Sequence, residues 1–295
     1  MKELKSCPVC HSSVFTPFLN CKDYTVSHET FQLVTCKTCS FTFTNPVPDP
    51  ERLGDYYLSD TYISHSNKAK GLIDSVYILA RTFTLKWKVK LITNHSLGKG
   101  RQLLDYGCGT GDFLKAAKEQ QWAVAGVEPS ALARSQAEQS TQEKIATALP
   151  ELTGKKFDVI TLWHVLEHID DLNECIQSLK QQLNDDGTLL IAVPNYECWD
   201  GKHYQSHWAG YDVPRHLWHF SRKTMDLLMT NNGLKIKNIV PMKLDAFYIS
   251  LLSEKYKTGT SGLGGMLKAV WNGIKSNSKA AKTNDYSSLI YIIRK

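Results

Sequence analysis

Leu103-Leu104-Asp105-Tyr106-Gly107-Cys108-Gly109-Thr110-Gly111 is the stretch on which the fold turns. A short apolar run of strand type closes on an acidic residue and then meets three glycines at alternate positions. Glycine there lets the main chain turn tightly and come close to a ligand. The spacing separates ligand classes. A dinucleotide fingerprint reads G-x-G-x-x-G, and its sixth position is occupied here by Asp112. A P-loop would end in lysine followed by serine or threonine, which this loop lacks. One βα unit later comes Gly126-Val127-Glu128-Pro129-Ser130, with Glu128 23 residues after Asp105. A carboxylate ending that strand can accept hydrogen bonds from both hydroxyls of a ribose.

Outward from the loop, strand and helix patterns alternate. Residues 102–106, 123–128, 157–163 and 188–193 read as buried strands, and residues 111–121 and 171–184 as helices, with Ser130 an N-cap. Repeated βα units predict a parallel sheet covered by helices. The end of the chain breaks the alternation, with strands at 234–240 and 288–293 around a helical, lysine-dotted segment. Residues 259–265 and 275–285 read as loops. Before the alternation, residues 69–94 read as one amphipathic helix carrying Leu72, Val76, Leu79, Phe83, Trp87 and Leu91.

The pattern D-x-G-x-G-x-G over Asp105–Gly111 resembles motif I of the class I S-adenosylmethionine methyltransferases. Residues 157–168 resemble the fourth-strand motif of that superfamily and residues 183–195 its fifth-strand motif. Pro214-Arg215-His216-Leu217-Trp218-His219-Phe220-Ser221 resembles a motif of a bacterial group within it. The resemblance implies a Rossmann-like α/β fold: a seven-stranded, mostly parallel sheet whose last strand is antiparallel and inserted beside the sixth. It implies S-adenosyl-L-methionine as cofactor. Asp105, Gly107, Cys108 and Gly109 would hold its methionine end, and Glu128 with Pro129 its ribose. Ala148 and Leu149 would flank the adenine, and Trp163 and His164 would close the site.

Six of the ten histidines lie between residues 164 and 219, among Trp199, Tyr204, Trp208, Tyr211 and Trp218. Residues 195–221 follow the fifth strand, whose carboxyl end opens on the ligand crevice, and they exceed an ordinary connection. They are expected to form a substrate-facing wall or lid. Methyl transfer often needs a base, and histidine suits that role near neutral pH. His216 and His219 are the first candidates, followed by Tyr211 and His168. Arg215 would bind a substrate carboxylate or phosphate, or pair with Asp212 or Glu197. Glu167 would anchor the loop after the fourth strand.

Five of the eight cysteines precede residue 47. Cys7-Pro-Val-Cys10 and Cys36-Lys-Thr-Cys39 are two C-x-x-C knuckles, a spacing that suits a closed, structural zinc site. About 45 residues bury little core, so a metal would help such a unit fold. Proline at 46, 48 and 50 stiffens the connector. The expected organisation is a small zinc ribbon at 1–46, a connector and long helix over the cofactor site at 47–98, and a methyltransferase domain at 99–295. The zinc-first order resembles some sugar C-methyltransferases and a ribosomal-RNA guanine methyltransferase group. Residues 57–65 resemble a cofactor-covering segment in bacterial relatives, which makes Tyr62 and His65 further site candidates.

The 295 residues are 42% hydrophobic and 22% charged, an ordinary globular balance, with a net charge of +6. No run approaches the roughly 18 apolar residues of a membrane span, and residues 1–7 lack the apolar core of a signal peptide. A cytoplasmic protein with no membrane partner is expected. The leading functional expectation is methyl transfer to a sugar, quinone-like or natural-product acceptor. An RNA methyltransferase docking through the ribbon is the alternative, motivated by Lys68, Lys70, Arg81, Lys86, Lys88 and Lys90. A non-catalytic S-adenosylmethionine-binding module is a third.

Overall fold

The sheet pattern read from the sequence is the skeleton of the molecule. The structure is a computed structural model that describes residues 1–57, 72–97, 100–260 and 262–295, with the backbone alone for Pro50 and residues 72–81. Tyr62, His65, Lys68 and Lys70 lie outside the described residues, and so does the side chain of Arg81. The elements in order are β1 (Phe15–Lys22), β2 (Thr30–Cys36), β3 (Thr42–Thr44), α1 (Pro50–Leu53), α2 (Leu72–His95), β4 (Gln102–Tyr106), α3 (Asp112–Glu119), β5 (Ala123–Val127), α4 (Ala131–Thr141), β6 (Phe157–Trp163), α5 (Leu172–Gln182), β7 (Leu183–Pro194), α6 (Trp199–Tyr204), β8 (Trp218–His219), α7 (Arg222–Asn231), β9 (Lys235–Pro241), α8 (Asp245–Thr258), α9 (Leu263–Thr283) and β10 (Ser288–Arg294).

Among the described residues the main sheet has six strands in the order β5-β4-β6-β7-β10-β9. The first four run parallel, and β10 lies antiparallel between β7 and β9. The inserted last strand is as expected; the strand count is lower by one. The outer position beyond β5 is reduced to a single parallel bridge, Val127 to Ala146. The cause is local. α4 ends on Gln142 in the left-handed region (φ 56°), and a 3-10 turn already begins at Leu149, so little chain is left to pair.

Helix starts follow from side-chain caps. Ser130 accepts from the Ala133 N–H, Asp171 from Glu174, and Ser221 with Thr224 forms a reciprocal capping box. Two sequence expectations shift. Phe83 on α2 is 66% exposed, whereas Leu91 is buried as expected, joined by Val89 and Ile92, with Trp87 partly buried against them. Residues 275–283 are helical, not loop: Ala269, Asn272, Gly273, Ser276 and Ala280 form a buried small-residue stripe at helical spacing, which lets α9 approach α8 closely. A Cβ on Gly273 would stand 2.6 Å from Phe247.

A second sheet joins the N-terminal segment to the segment after β7. Its order is β1-β2-β3-β8, and β8 comes from the insert after β7. Thr42 pairs with His219 and Phe43 with Trp218. Phe41, Phe43, Trp218 and Phe220 stack around this seam, with centroids 5.6–6.3 Å apart. The cysteine-bearing segment therefore shares one core with Leu104, Ile160 and Ile191 of the main sheet. Residues 195–221 are largely buried through Tyr204, Trp208, Tyr211, Leu217 and Phe220, and a parallel bridge from Asn195 to Phe220 closes their base. They make a packed wall.

Candidate active site

The carboxyl ends of β4, β5 and β6 gather the residues singled out from the sequence. Gly107 and Gly111 hold φ of 76° and 79°, values in the left-handed region, where a side chain is disfavoured. A Cβ on Gly107 would stand 2.5 Å from Val165 Cγ2, and one on Gly111 2.9 Å from the Ala137 backbone, so the loop is pressed between the β6 exit and α4. Cys108 is buried at the turn, and its N–H donates to the Val127 carbonyl. Asp105 is buried and accepts from the Thr161 hydroxyl at 2.6 Å. Burial pushes its carboxyl up to about 7, against the pull of Thr161 and Lys88.

Glu128 accepts the Gly109 N–H at 2.8 Å and the Ser130 N–H at 2.9 Å, one on each oxygen. Each oxygen keeps a lone pair, so the carboxylate can still accept from hydroxyls. Pro129 follows it, and the Glu128 and Pro129 carbonyls accept from Arg134. Ala146 bridges Val127 at the end of β5, and the chain then continues past the strand end, where Ala148 is exposed and Leu149 buried. On the other side Trp163 packs edge-to-face on Phe113 at 5.3 Å, and its buried Nε1 has no hydrogen-bond partner among the described residues. A buried unpaired donor in this wall is what a ligand acceptor would satisfy.

Lys88 is the residue the sequence placed elsewhere. It does not lie on a solvated helix face; its ammonium sits 4.2 Å from the centre of the Trp163 ring. Burial lowers its pKa, while Asp105 and Asp245 draw it upward.

Beyond Trp163 lies a cluster of histidines around one carboxylate. His164 adopts φ 58° and bridges two acids, with Nε2 3.1 Å from Asp245 and Nδ1 3.4 Å from Glu167. Burial opposes its charge, but the two carboxylates outweigh that and raise its pKa to about 9. Glu167 is fully buried, and among the described residues neither oxygen receives a hydrogen bond of ordinary geometry. The histidines around it hold its pKa down in spite of burial. His216 Nδ1 lies 2.9 Å from the Gly210 carbonyl and His168 Nδ1 3.0 Å from that of Arg215. A carbonyl only accepts, so both Nδ1 atoms carry a proton, and in the neutral ring the lone pair is then on Nε2. His216 Nε2 stands 4.0 Å from Glu167, and the rings of His168 and His216 meet edge-to-face at 4.6 Å. Glu167, His168 and His216 each offer one atom within 4.8 Å of the others, so this group can take up a proton or a cation. Burial, with His216 alongside, lowers His168 to about 4. Tyr57, at the near end of the undescribed segment, reaches His168 Nδ1 at 3.1 Å.

The other sequence candidates fall differently. Thr44 Oγ1 donates to the His216 carbonyl at 2.9 Å, so it can only accept from His219 Nε2 at 3.1 Å. That ring nitrogen is therefore protonated and held in the β3–β8 seam, and burial keeps His219 far below its ordinary pKa. Tyr211 is buried against Trp208 and His219, with its phenol raised far above its usual range by burial. Arg215 is 1% exposed and already paired: it donates to both oxygens of Asp212 at 2.7 and 3.0 Å, to Asp23 at 3.0 Å and to the Tyr56 carbonyl at 2.9 Å. Asp23 had no sequence signal, nor did Asp245, which sits 81 residues from its partner His164.

At the far end, Cys7, Cys10, Cys36 and Cys39 bring their sulfurs within 4.8 Å of one another, with Cys7–Cys39 and Cys10–Cys36 both at 3.5 Å. The two knuckles have the same turn. His11 N–H donates to Cys7 O and Ser40 N–H to Cys36 O, each at 2.9 Å, and His11 and Ser40 sit at φ 60° and 66°. Four thiolates on a zinc ion at about 2.3 Å would lie roughly 3.8 Å apart, so the donor set fits.

Residues 81–238 match a family model described as a methyltransferase domain. The ubiquinone biosynthesis O-methyltransferase of Actinobacillus pleuropneumoniae serotype 5b (strain L20) is 35% identical over 109 residues, 32% of this chain and 47% of that protein. The human mitochondrial ubiquinone biosynthesis O-methyltransferase is 28% identical over 181 residues, 54% of this chain and 49% of that protein. The chain thus spans about half the length of the curated relatives it matches. Two solved structures share the fold. Magnesium protoporphyrin IX methyltransferase from Synechocystis PCC 6803, with bound SAH, gives a TM-score of 0.54 at 15% identity, covering 84% of this chain and 100% of that one. Geranyl diphosphate C-methyltransferase from Streptomyces coelicolor A3(2) gives 0.52 at 15% identity, covering 84% and 88%.

Proposed function

Because the chain belongs to the methyltransferase-domain family, we propose that it transfers a methyl group from S-adenosyl-L-methionine to a hydroxyl of a small-molecule acceptor. One observation carries the reading. A glycine loop at two parallel strand ends lies between the buried Asp105 and a Glu128 that keeps acceptor capacity, opposite the unpaired Trp163 Nε1. Asp105 with Gly107, Cys108 and Gly109 would serve the methionine end, Glu128 and Pro129 the ribose, Ala148 and Leu149 the adenine, and Trp163 and His164 the wall. When bound, the cofactor supplies an electrophilic methyl on a sulfonium.

The chain's own part is alignment and proton handling. The acceptor oxygen forms a bond to the methyl carbon as the carbon–sulfur bond breaks, and the hydroxyl proton must leave. His216 Nε2 has the lone pair for it, its tautomer fixed by Gly210, and Glu167 stabilises the imidazolium that results. His168 stands beside it as the second choice. The aromatic wall of residues 195–221 and the named activity of the ubiquinone relatives favour a quinone-like phenol over a sugar. The inward turn of Lys88 removes one charge from the row that motivated an RNA substrate. For the four-cysteine site we propose one structural zinc, with residues 1–46 as its module, 47–98 as the connector and 99–295 as the catalytic part.

The test is calorimetric titration with S-adenosylhomocysteine, with NADH as control and an Asp105→Ala protein alongside. Micromolar binding of S-adenosylhomocysteine alone, lost in the variant while its circular dichroism is kept, is the expected result. Absence of binding to the parent protein overturns the reading.

A further inference from the structure

The α8–α9 hairpin carries a surface that the methyl-transfer site does not explain. On α9, Leu263 is 80% exposed, Leu267 73% and Trp271 66%, and Val270 and Ile274 are about half exposed. At about 100° per residue these five fall on an arc of roughly 100°. The buried stripe of Ala269, Asn272, Gly273, Ser276 and Ala280 occupies the other side of the helix, so the apolar arc is not a core face turned out by mistake. Leu244, the cap residue before α8, and Tyr248 and Leu251 on it form a shorter exposed row at helical spacing.

Charge decides what would cover it. Between residues 243 and 283 the chain has seven lysines and two acidic residues. Both acids are taken inward: Glu254 accepts from Tyr204 and Asn272 in the core, and Asp245 pairs with His164. Lys255, Lys257, Lys268, Lys275, Lys279 and Lys282 are exposed, the last four beside the apolar arc of α9. A second copy of the chain would bring two such cationic rows together. A helix with an apolar face edged by lysine is instead matched to an anionic lipid surface, where apolar side chains enter the headgroup boundary and lysines meet lipid phosphates. No described helix is long and apolar enough to cross a membrane, which agrees with attachment at the surface only.

We propose that α8 and α9 dock the protein on anionic bilayers through Leu263, Leu267, Val270, Trp271 and Ile274. The placement joins the surface to the site, because α8 begins at Asp245, whose carboxylate bonds His164. An acceptor dissolved in the bilayer would reach the enzyme at the foot of that hairpin. The docking itself stands whether or not methyl transfer does, since it needs neither cofactor nor acceptor.

Vesicle co-sedimentation of the full chain tests it, with phosphatidylcholine vesicles compared to vesicles containing phosphatidylglycerol. Binding is expected to the anionic vesicles alone and to weaken as salt is added. A Leu267→Glu/Trp271→Glu protein should lose at least about tenfold in partitioning, and each Lys→Gln change at 268 or 279 roughly fivefold. These positions are exposed, and unchanged S-adenosylhomocysteine affinity or an unchanged melt shows that the variants fold. No binding at low salt, equal binding to both vesicle types, or full binding by the double variant overturns the proposal. So does a dimer, seen by sedimentation velocity, that the double variant abolishes without any vesicle binding.

Discussion

Replacing Arg215 by Gln should unfold the protein far more readily than a substrate-contact change would. The guanidinium is 1% exposed and neutralises two carboxylates, Asp23 from the N-terminal sheet and Asp212 from the wall. Removing one partner of a buried pair costs about 3–5 kcal/mol, because the charges left behind have no counter-ion. At roughly 2–4 °C per kcal/mol for a chain of this size, the melting midpoint should fall by about 6–20 °C. The sign with pH follows from Asp23, whose carboxyl is held well below its ordinary value of 3.8 by Arg215 and the Ser27 and Thr25 N–H groups, despite burial. Its contribution is full above the unfolded value and is lost as pH falls through and below it. The variant lacks that contribution, so the gap in midpoint should be widest near neutrality and narrow in acid. Circular-dichroism melts of both proteins from about pH 7 down to about pH 2 read this directly. Adding Asp23→Asn to Arg215→Gln should cost less than the sum of the two single changes. A variant that melts with the parent but shows a large rise in acceptor KM would refute the argument and make Arg215 a substrate ligand.

Other outcomes follow from the same geometry. His216→Asn should lower kcat by about 10²–10⁴ while S-adenosylhomocysteine affinity stays within twofold or so; a change in affinity alone would place His216 elsewhere. Glu128→Gln should weaken S-adenosylhomocysteine by about tenfold or more through the ribose, read by calorimetry, and an unchanged affinity would leave the ribose to other groups. Metal analysis of the purified protein should find one zinc per chain, and Cys36→Ser should abolish it and lower the melting midpoint.

The main sheet was legible because its strands are apolar runs between glycine, proline and acidic turns, and because motif I sets local backbone demands at Gly107 and Gly111. The residues proposed for the cofactor came with it, since Asp105 and Glu128 sit at strand ends one βα unit apart. What stayed hidden lay in long-range pairing. Nothing at Asp23 signals an arginine nearly two hundred residues later, and nothing at Asp245 signals His164. Lys88 reads as one charge in a helix row until Trp163 is folded beneath it. The segment 275–285 misled for another reason. Small and polar residues suggest a loop in isolation, yet Ala269, Gly273, Ser276 and Ala280 at helical spacing are what a close helix–helix seam requires.

The histidines of the P-R-H-L-W-H motif show why residue type alone could not rank the two candidate bases. His216 and His219 are three apart and equally plausible in sequence, but one strand pairing separates them. β3 pulls His219 into the seam through Thr44, and the same hydroxyl fixes the carbonyl of His216. Thr44 N–H also donates to Leu217 O at 2.9 Å, so two successive carbonyls, of His216 and Leu217, hang from β3. β3 in turn continues from the Cys36–Cys39 knuckle through Phe41. A metal that tightens the four cysteines would therefore stiffen the strand against which His216 is set. In this arrangement the cysteine site belongs with the wall of residues 195–221, although it lies outside the parallel sheet that carries the glycine loop.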